Sequence, residues 1–375
     1  MLRCEACDRT YPDDGPWRCE CGHPLDFAER PLPDSDDPPE TLDRDRGLWA
    51  FEALLPVRER VTLGEGWTPL VDAPAWDAQF KLDYLFPTGS FKDRGATATL
   101  SRAAELGVER VLEDSSGNAG LAIATYAARA GIDAEIYVPA DATPAKIRAI
   151  ERTGADVVRV AGAREDVTDA CIAAVEAGAD SQGAQSDAET GGWYASHAWN
   201  PAFFAGTSTV AFEIAAQRDW SVPDAVVTPL GHGTLFLGAY RGFRALVEAG
   251  WTDEMPRLLG AQATGAAPVA DAFRDADSPR GATGENPPAN ALADGIQIRE
   301  PVREDQILAA IAETDGDAVA VGPEATEREH DRLARAGFHV EPTCATATAA
   351  LETYRERGVV GPDEDVVVAL TGRAK

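Results

Sequence analysis

Lysine occurs in this chain only at Lys81, Lys92, Lys146 and Lys375, while arginine carries most of the positive charge. Lys92 stands in a tight turn, Pro87-Thr88-Gly89-Ser90-Phe91-Lys92-Asp93-Arg94-Gly95. Arginine stays protonated in proteins, whereas a lysine amine attacks carbonyl carbon once it is neutral. A lysine kept where arginine is otherwise preferred indicates that the amine itself is wanted. Ser90 and Asp93 have the spacing of a helix cap, with the serine at N-cap and the acid three positions on. This predicts a helix running to Gly107, with Lys92 in its first turn. The helix dipole there opposes an ammonium and favours the free amine that a Schiff base requires.

Three further stretches have binding chemistry, and each follows an apolar strand. Gly231-His232-Gly233-Thr234-Leu235 offers backbone N–H groups at a helix start, a cradle for a phosphate. A dinucleotide loop is the competing reading. The spacing G-x-G-x-x-x-x-G and the lack of a strand-end acid about 20 residues on disfavour it. Ser115-Ser116-Gly117-Asn118-Ala119-Gly120 presents hydroxyls, an amide and N–H groups that suit a carboxylate. Thr371-Gly372-Arg373-Ala374-Lys375 comes directly after a buried strand, where ligand sites of parallel sheets gather.

At the front, Cys4-x-x-Cys7 and Cys19-x-Cys21-Gly22 form two short knuckles. Four thiolates so spaced can converge on one tetrahedral zinc, with His23 beside them as a substitute ligand. Such a staple suits a piece too small to own a core. The alternative is a knuckle that has lost its metal. Cys171 and Cys344 lie on helices of small residues. For Cys344 a helix start could lower the thiol pKa, though packing is the favoured role.

These stretches are joined by alternating strands and helices. Strands are predicted at 108–116, 133–140, 156–162, 224–230, 257–263 and 365–370, and helices at 118–132, 143–154, 164–178, 233–250 and 343–357. Short buried strands alternating with helices mean parallel sheets in α/β layers. Residues 29–40 are rich in proline and acid and read as an extended linker. Residues 276–290 read as a surface loop.

The net charge of -29 comes from 63 acidic residues set against 34 basic ones, dispersed along the chain. Dispersed carboxylates make a solvated coat whose self-repulsion salt screens, as expected of a cytoplasmic protein working at high ionic strength. The same charge argues against nucleic acid as a partner. No run reaches the roughly 18 apolar residues of a membrane span, and no secretory leader is read at the front.

Taken together, the motifs resemble the pyridoxal-phosphate enzymes of fold type II, the tryptophan-synthase-β type, and within them the threonine synthases. The resemblance spans about residues 60–375 and rests on "GEGWTPL" (64–70), "PTGSFKDRG", "SSGNAG", "GHGTLFLG" and "LTGRAK", which occur in family order. It implies two parallel-sheet α/β domains: 48–107 with 205–375 as the cofactor domain, and 108–204 as the substrate-side domain. A zinc-ribbon-like module (1–28) and a linker (29–47) precede them. It further implies that Lys92, next to Phe91, carries pyridoxal phosphate covalently and shuttles protons. Asn118 would bond the cofactor's phenolic oxygen, 231–235 its phosphate, and Thr371 would face its ring nitrogen. Ser115, Ser116, Gly117 and Ala119 would line the substrate carboxylate. A small amino-acid substrate and a homodimer are implied as well.

Three features depart from the family: Ala119 replaces a threonine, the tail "TGRAK" is short, and Phe203 in "NPAFF" stands where an arginine clamps the substrate phosphate. Two activities therefore stay open. The first is threonine synthase, making threonine and phosphate from O-phosphohomoserine and water. The second is a threonine or serine dehydratase acting on an unphosphorylated substrate. A cofactor-free binding protein is a third reading, disfavoured because every cofactor motif is retained. Neither His197 nor His232 is assigned a catalytic role.

Overall fold

The computed structural model describes residues 1–181, 192–277 and 288–374. The chain opens with the short strands β1 (Leu2–Arg3), β2 (Thr10–Tyr11) and β3 (Asp26–Phe27). After the linker come β4 (Leu70–Ala73), β5 (Ala78–Lys81) and the helix α1 (Lys92–Glu105). Strands and helices then alternate as β6 (Arg110–Glu113), α2 (Asn118–Ala130), β7 (Asp133–Pro139), α3 (Pro144–Glu151) and β8 (Asp156–Val160). Next are α4 (Arg164–Ser181), β9 (Trp193–Tyr194), α5 (Pro201–Gln217), β10 (Ala225–Pro229), α6 (Thr234–Glu248) and β11 (Arg257–Ala263). The last part runs α7 (Pro268–Asp277), α8 (Glu304–Glu313), β12 (Asp317–Val321), α9 (Pro323–Arg335), α10 (Pro342–Glu356) and β13 (Val366–Ala369). Every predicted strand and helix is present within a few residues. Most of the surface loop expected at 276–290 lies outside the described residues.

By residue contacts the chain forms two compact units, Met1–Pro31 with Asp45–Glu65 and Lys92–Gly206, and Leu32–Arg44 with Gly66–Phe91 and Thr207–Lys375. In the first, four strands pair in the order β8-β7-β6-β9, all parallel. Helix α1 packs on α2 over this sheet, Ala96, Leu100 and Ala103 sharing one core with Ala122, Ile123 and Tyr126. That packing groups α1 with the first unit, whereas the expected boundary at 107 put it with the other lobe. The front strands pair antiparallel in the order β2-β1-β3 around Leu2, Cys4, Cys19 and Leu25. Trp17 stands edge-on to Tyr194 at 5.2 Å and to Trp199 at 4.9 Å.

The second unit is built on a six-stranded sheet in the order β12-β11-β10-β13-β5-β4. Its strands are parallel except β4, which pairs antiparallel with β5 at one edge, a departure from the all-parallel expectation. The turn between β4 and β5 is one helical turn led by Pro74, too short for the crossover a parallel pair requires. The linker is not free-standing here. The indole of Trp251 donates to the Ser35 carbonyl at 3.0 Å. Gly238 and Gly242, one turn apart on α6, leave room for Thr207 and Ser208 of α5, since a Cβ at either would lie 2.3 Å from their atoms.

The stretch 64–70 anchors each unit separately. Glu65 is buried and accepts from the Leu63 N–H at 2.7 Å and the Tyr126 hydroxyl at 3.0 Å. In the second unit Thr68 donates its hydroxyl to Asp83 at 2.6 Å. Lys81, fully buried, donates to Glu213 at 2.6 Å, the Thr68 carbonyl at 2.7 Å and Gln217 at 2.8 Å.

Candidate functional site

In the first unit the amine-bearing helix starts at Lys92 itself. Ser90 forms an antiparallel bridge with Gly372, and the Phe91 N–H donates to the Thr371 carbonyl at 2.9 Å, both within the second unit. Lys92 is half-buried, and its ammonium nitrogen lies 5.9 Å from the ring centroid of Phe203. Phe203 is fully buried and packs against Gly95, where a Cβ would sit 2.2 Å from the ring. Glycine at 95 thus makes room for the aromatic wall beside the amine.

The loop from β6 to α2 folds tightly. Ser115 accepts from the Gly117 N–H at 3.2 Å, and a Cβ on Gly120 would lie 1.8 Å from the Ser115 carbonyl oxygen. Ser116, Gly117 and Asn118 are half-buried at the start of α2, while Ala119 faces the core. This places N–H groups and the Asn118 amide at a helix N-terminus, a setting for anions.

Immediately before this loop, Glu113 is fully buried and its carboxylate is held twice by one residue. The ring Nδ1 of His197 is 2.7 Å from one oxygen, and the His197 backbone N–H donates to the other at 3.2 Å. The imidazole stands edge-on to Phe203, with ring centroids 6.1 Å apart. Burial and the neighbouring Asp114 push the Glu113 carboxyl well above the ordinary range, while the His197 N–H and the charges of Lys92 and Arg164 oppose that. Neither residue was assigned from the sequence. They lie 84 positions apart, and no local spacing signals their pairing.

In the second unit β10 and β13 pair in parallel, Ala225 opposite Val366, so the loops after them leave the same edge of the sheet. The first is 231–235. Gly233 has φ +76°, a left-handed conformation that suits glycine. A Cβ there would lie 2.5 Å from Ile307, and at Gly231 one would lie 3.2 Å from Ile296. Thr234 begins α6, and its carbonyl accepts from Thr207 at 2.9 Å. The second loop holds Thr371, whose N–H and that of Gly372 both donate to the Cys344 sulfur, at 3.1 and 3.2 Å. Burial pushes the Cys344 thiol up to about 12. The helix-start lowering entertained for it is overridden by desolvation.

At the front of the chain the four cysteine sulfurs lie within 4.8 Å of one another. Cys4 to Cys21 is 3.6 Å and Cys7 to Cys19 is 3.5 Å, close to the ~3.8 Å edge of a tetrahedron with 2.3 Å zinc–sulfur bonds. His23 is not inside this group. Its Nδ1 is 3.5 Å from Cys21, and its backbone N–H draws the Cys21 thiol down to about 6. The Tyr11 hydroxyl reaches Cys19 at 3.2 Å. No described helix is long and apolar enough to cross a membrane.

Residues 61–372 match the family model described as pyridoxal-phosphate dependent enzyme. The threonine synthase of Methanocaldococcus jannaschii is 33% identical, over 99% of this chain and 92% of its own. That of Methanosarcina acetivorans is 35% identical, over 87% of this chain and 79% of its own. Among solved structures, a threonine deaminase from T.th. aligns with TM-score 0.63 at 26% identity, covering 82% of this chain and 93% of that one. Maize serine racemase aligns with TM-score 0.64 at 21% identity, over 82% of this chain and 88% of its own.

Proposed function

The chain belongs to the pyridoxal-phosphate dependent enzymes, with the α/β architecture of fold type II, and on that premise we propose that it is a threonine synthase. It would convert O-phosphohomoserine and water to threonine and phosphate. The observation that supports this most is Lys92: an amine at the first residue of a helix, against an aromatic wall, in the same unit as the Asn118 loop. The relatives named threonine synthase supply the choice of reaction.

The donor set fits the cofactor. A half-buried amine suits an aldehyde, an amide suits a phenolic oxygen, and a glycine loop opening a helix suits a phosphate dianion. Lys92 would hold the cofactor covalently and carry the proton taken from the substrate carbon. Asn118 would orient the ring, the N–H groups of 231–235 would hold the phosphate, and Ser115, Ser116, Gly117 and Ala119 would line the substrate carboxylate. Pyridoxal phosphate supplies the electron sink that stabilises negative charge at that carbon. Thr371 would present a hydroxyl, not a carboxylate, to the ring nitrogen. The thiol behind it, pushed up by burial, adds no negative charge to that hydroxyl, so the sink would be tempered. The division into a cofactor lobe and a substrate lobe, a homodimer and a cytoplasmic setting belong to the same reading.

One observation favours the second activity, elimination from unphosphorylated threonine or serine. Phe203 is buried and apolar where a phosphate clamp calls for a planar cation. In concentrated KCl, the first reading expects equal phosphate and threonine from O-phosphohomoserine. A 2-ketoacid from threonine with no phosphate release would replace it by the second.

We further read the four-cysteine group as a structural zinc site. The protein purified with zinc present is expected to carry about one metal per chain by atomic absorption. Its removal with a chelator should lower the melting temperature. A metal-free protein of unchanged stability would contradict this.

A further inference from the structure

The Glu113–His197 pair has no part in the reaction described above, yet it shares a wall with the amine. Lys92 and His197 both lie against Phe203, with the Lys92 nitrogen and the imidazole centroid at 5.9 and 6.1 Å from its ring. Glu113 is 0% exposed and ends the strand that leads into the Ser115–Asn118 loop. A carboxylate buried this deeply is costly unless a nearby cation balances it. The balance cannot be permanent, because the amine must lose its positive charge to bond a carbonyl and regain a proton during turnover.

We propose that Glu113, oriented by His197, is a positioning residue that stores the counter-proton of Lys92, so that the amine and the carboxylate titrate as one unit. When the Lys92 ammonium gives up a proton, the Glu113 carboxylate takes one up. When the amine takes a proton, the carboxyl releases one. The net charge against the Phe203 wall stays constant, and no other atom changes hands. His197 holds both carboxylate oxygens and so fixes where that proton resides. Among the described residues the groups facing Glu113 include Lys92 on α1, Asp114 beside it, Arg164 and Cys171 on α4, Tyr194 on β9 and His197 after β9. Asp114 is itself occupied by the Tyr194 hydroxyl at 3.0 Å and the Thr168 hydroxyl at 2.6 Å, which leaves Glu113 as the exchanging acid.

The sign follows directly. An ionised Glu113 favours the ammonium, so removing its charge lets the free amine appear at lower pH. The inference rests on the role proposed for Lys92, and the test separates the two. Full-length protein stripped of cofactor is mixed with pyridoxal phosphate across a pH series, and covalent capture is read from visible absorbance. In Glu113→Gln the midpoint is expected to fall by about one pH unit. His197→Phe, which removes the ring nitrogen 2.7 Å from the carboxylate, should shift it the same way by less. Glu113→Asp should restore a midpoint near that of the parent. Melting temperatures confirm folding, and if Glu113→Gln does not fold, His197→Phe carries the test. An unchanged midpoint in the folded variants overturns the inference. Covalent capture by Lys92→Ala would instead overturn the role of Lys92.

Discussion

Lys92→Ala is expected to fold, to bind pyridoxal phosphate without covalent attachment, and to lose about 10²–10⁴-fold in turnover from the missing proton transfers alone. Folding should survive because Lys92 is half-buried at the first residue of α1, and alanine is the best helix former. The helix is held elsewhere, by Ala96, Leu100 and Ala103 on α2. The visible band of the attached cofactor should vanish, while the ultraviolet circular dichroism stays that of the parent. Retained turnover within a few-fold of the parent would show that the amine is not the reacting group.

The second large effect is on stability. Lys81→Met removes the ammonium that donates to Glu213 at 2.6 Å, where both side chains are fully buried. Leaving a carboxylate behind in such a place costs about 3–5 kcal/mol. For a protein of this size the melting temperature should fall by about 5 °C. Salt should not repair the loss. The dispersed charge of -29 is surface charge, and concentrated KCl should raise the melting temperature of parent and variant alike by screening it. A buried pair is screened far less, so the gap between them should persist. Closure of the gap at high KCl would show that Lys81 acts through surface electrostatics and not through its buried partners. Adding Glu213→Gln to Lys81→Met should recover part of the loss, since the orphaned charge is then gone.

The alternation of strands and helices was legible because buried parallel strands read as short apolar runs, such as Val366–Ala369. Lys92, Asn118, the 231–235 loop and Thr371 could be singled out as candidates because each sits at a helix start or a strand end with its own local signature. The pairing of Glu113 with His197 was not, because β6 and the segment after β9 meet only through sheet formation. The role of Lys81 was hidden for the same reason: a lone lysine on a strand looks solvent-facing until Thr68, Glu213 and Gln217 close around it. The β4–β5 hairpin was overlooked because Pro74 and Asp77 break its apolar pattern. The grouping of α1 with the first unit depends on side-chain packing that periodicity does not specify. His23 shows the reverse case, where spacing suggested a metal ligand and the fold turns its ring to the edge of the cysteine group.

The central claim, covalent attachment of the cofactor at one amine, is tested most directly by borohydride reduction of the loaded protein followed by peptide mapping. The account predicts a single pyridoxyl modification on the peptide containing Phe91-Lys92-Asp93. A modification found on Lys81 or Lys146 instead, or none at all, would contradict it.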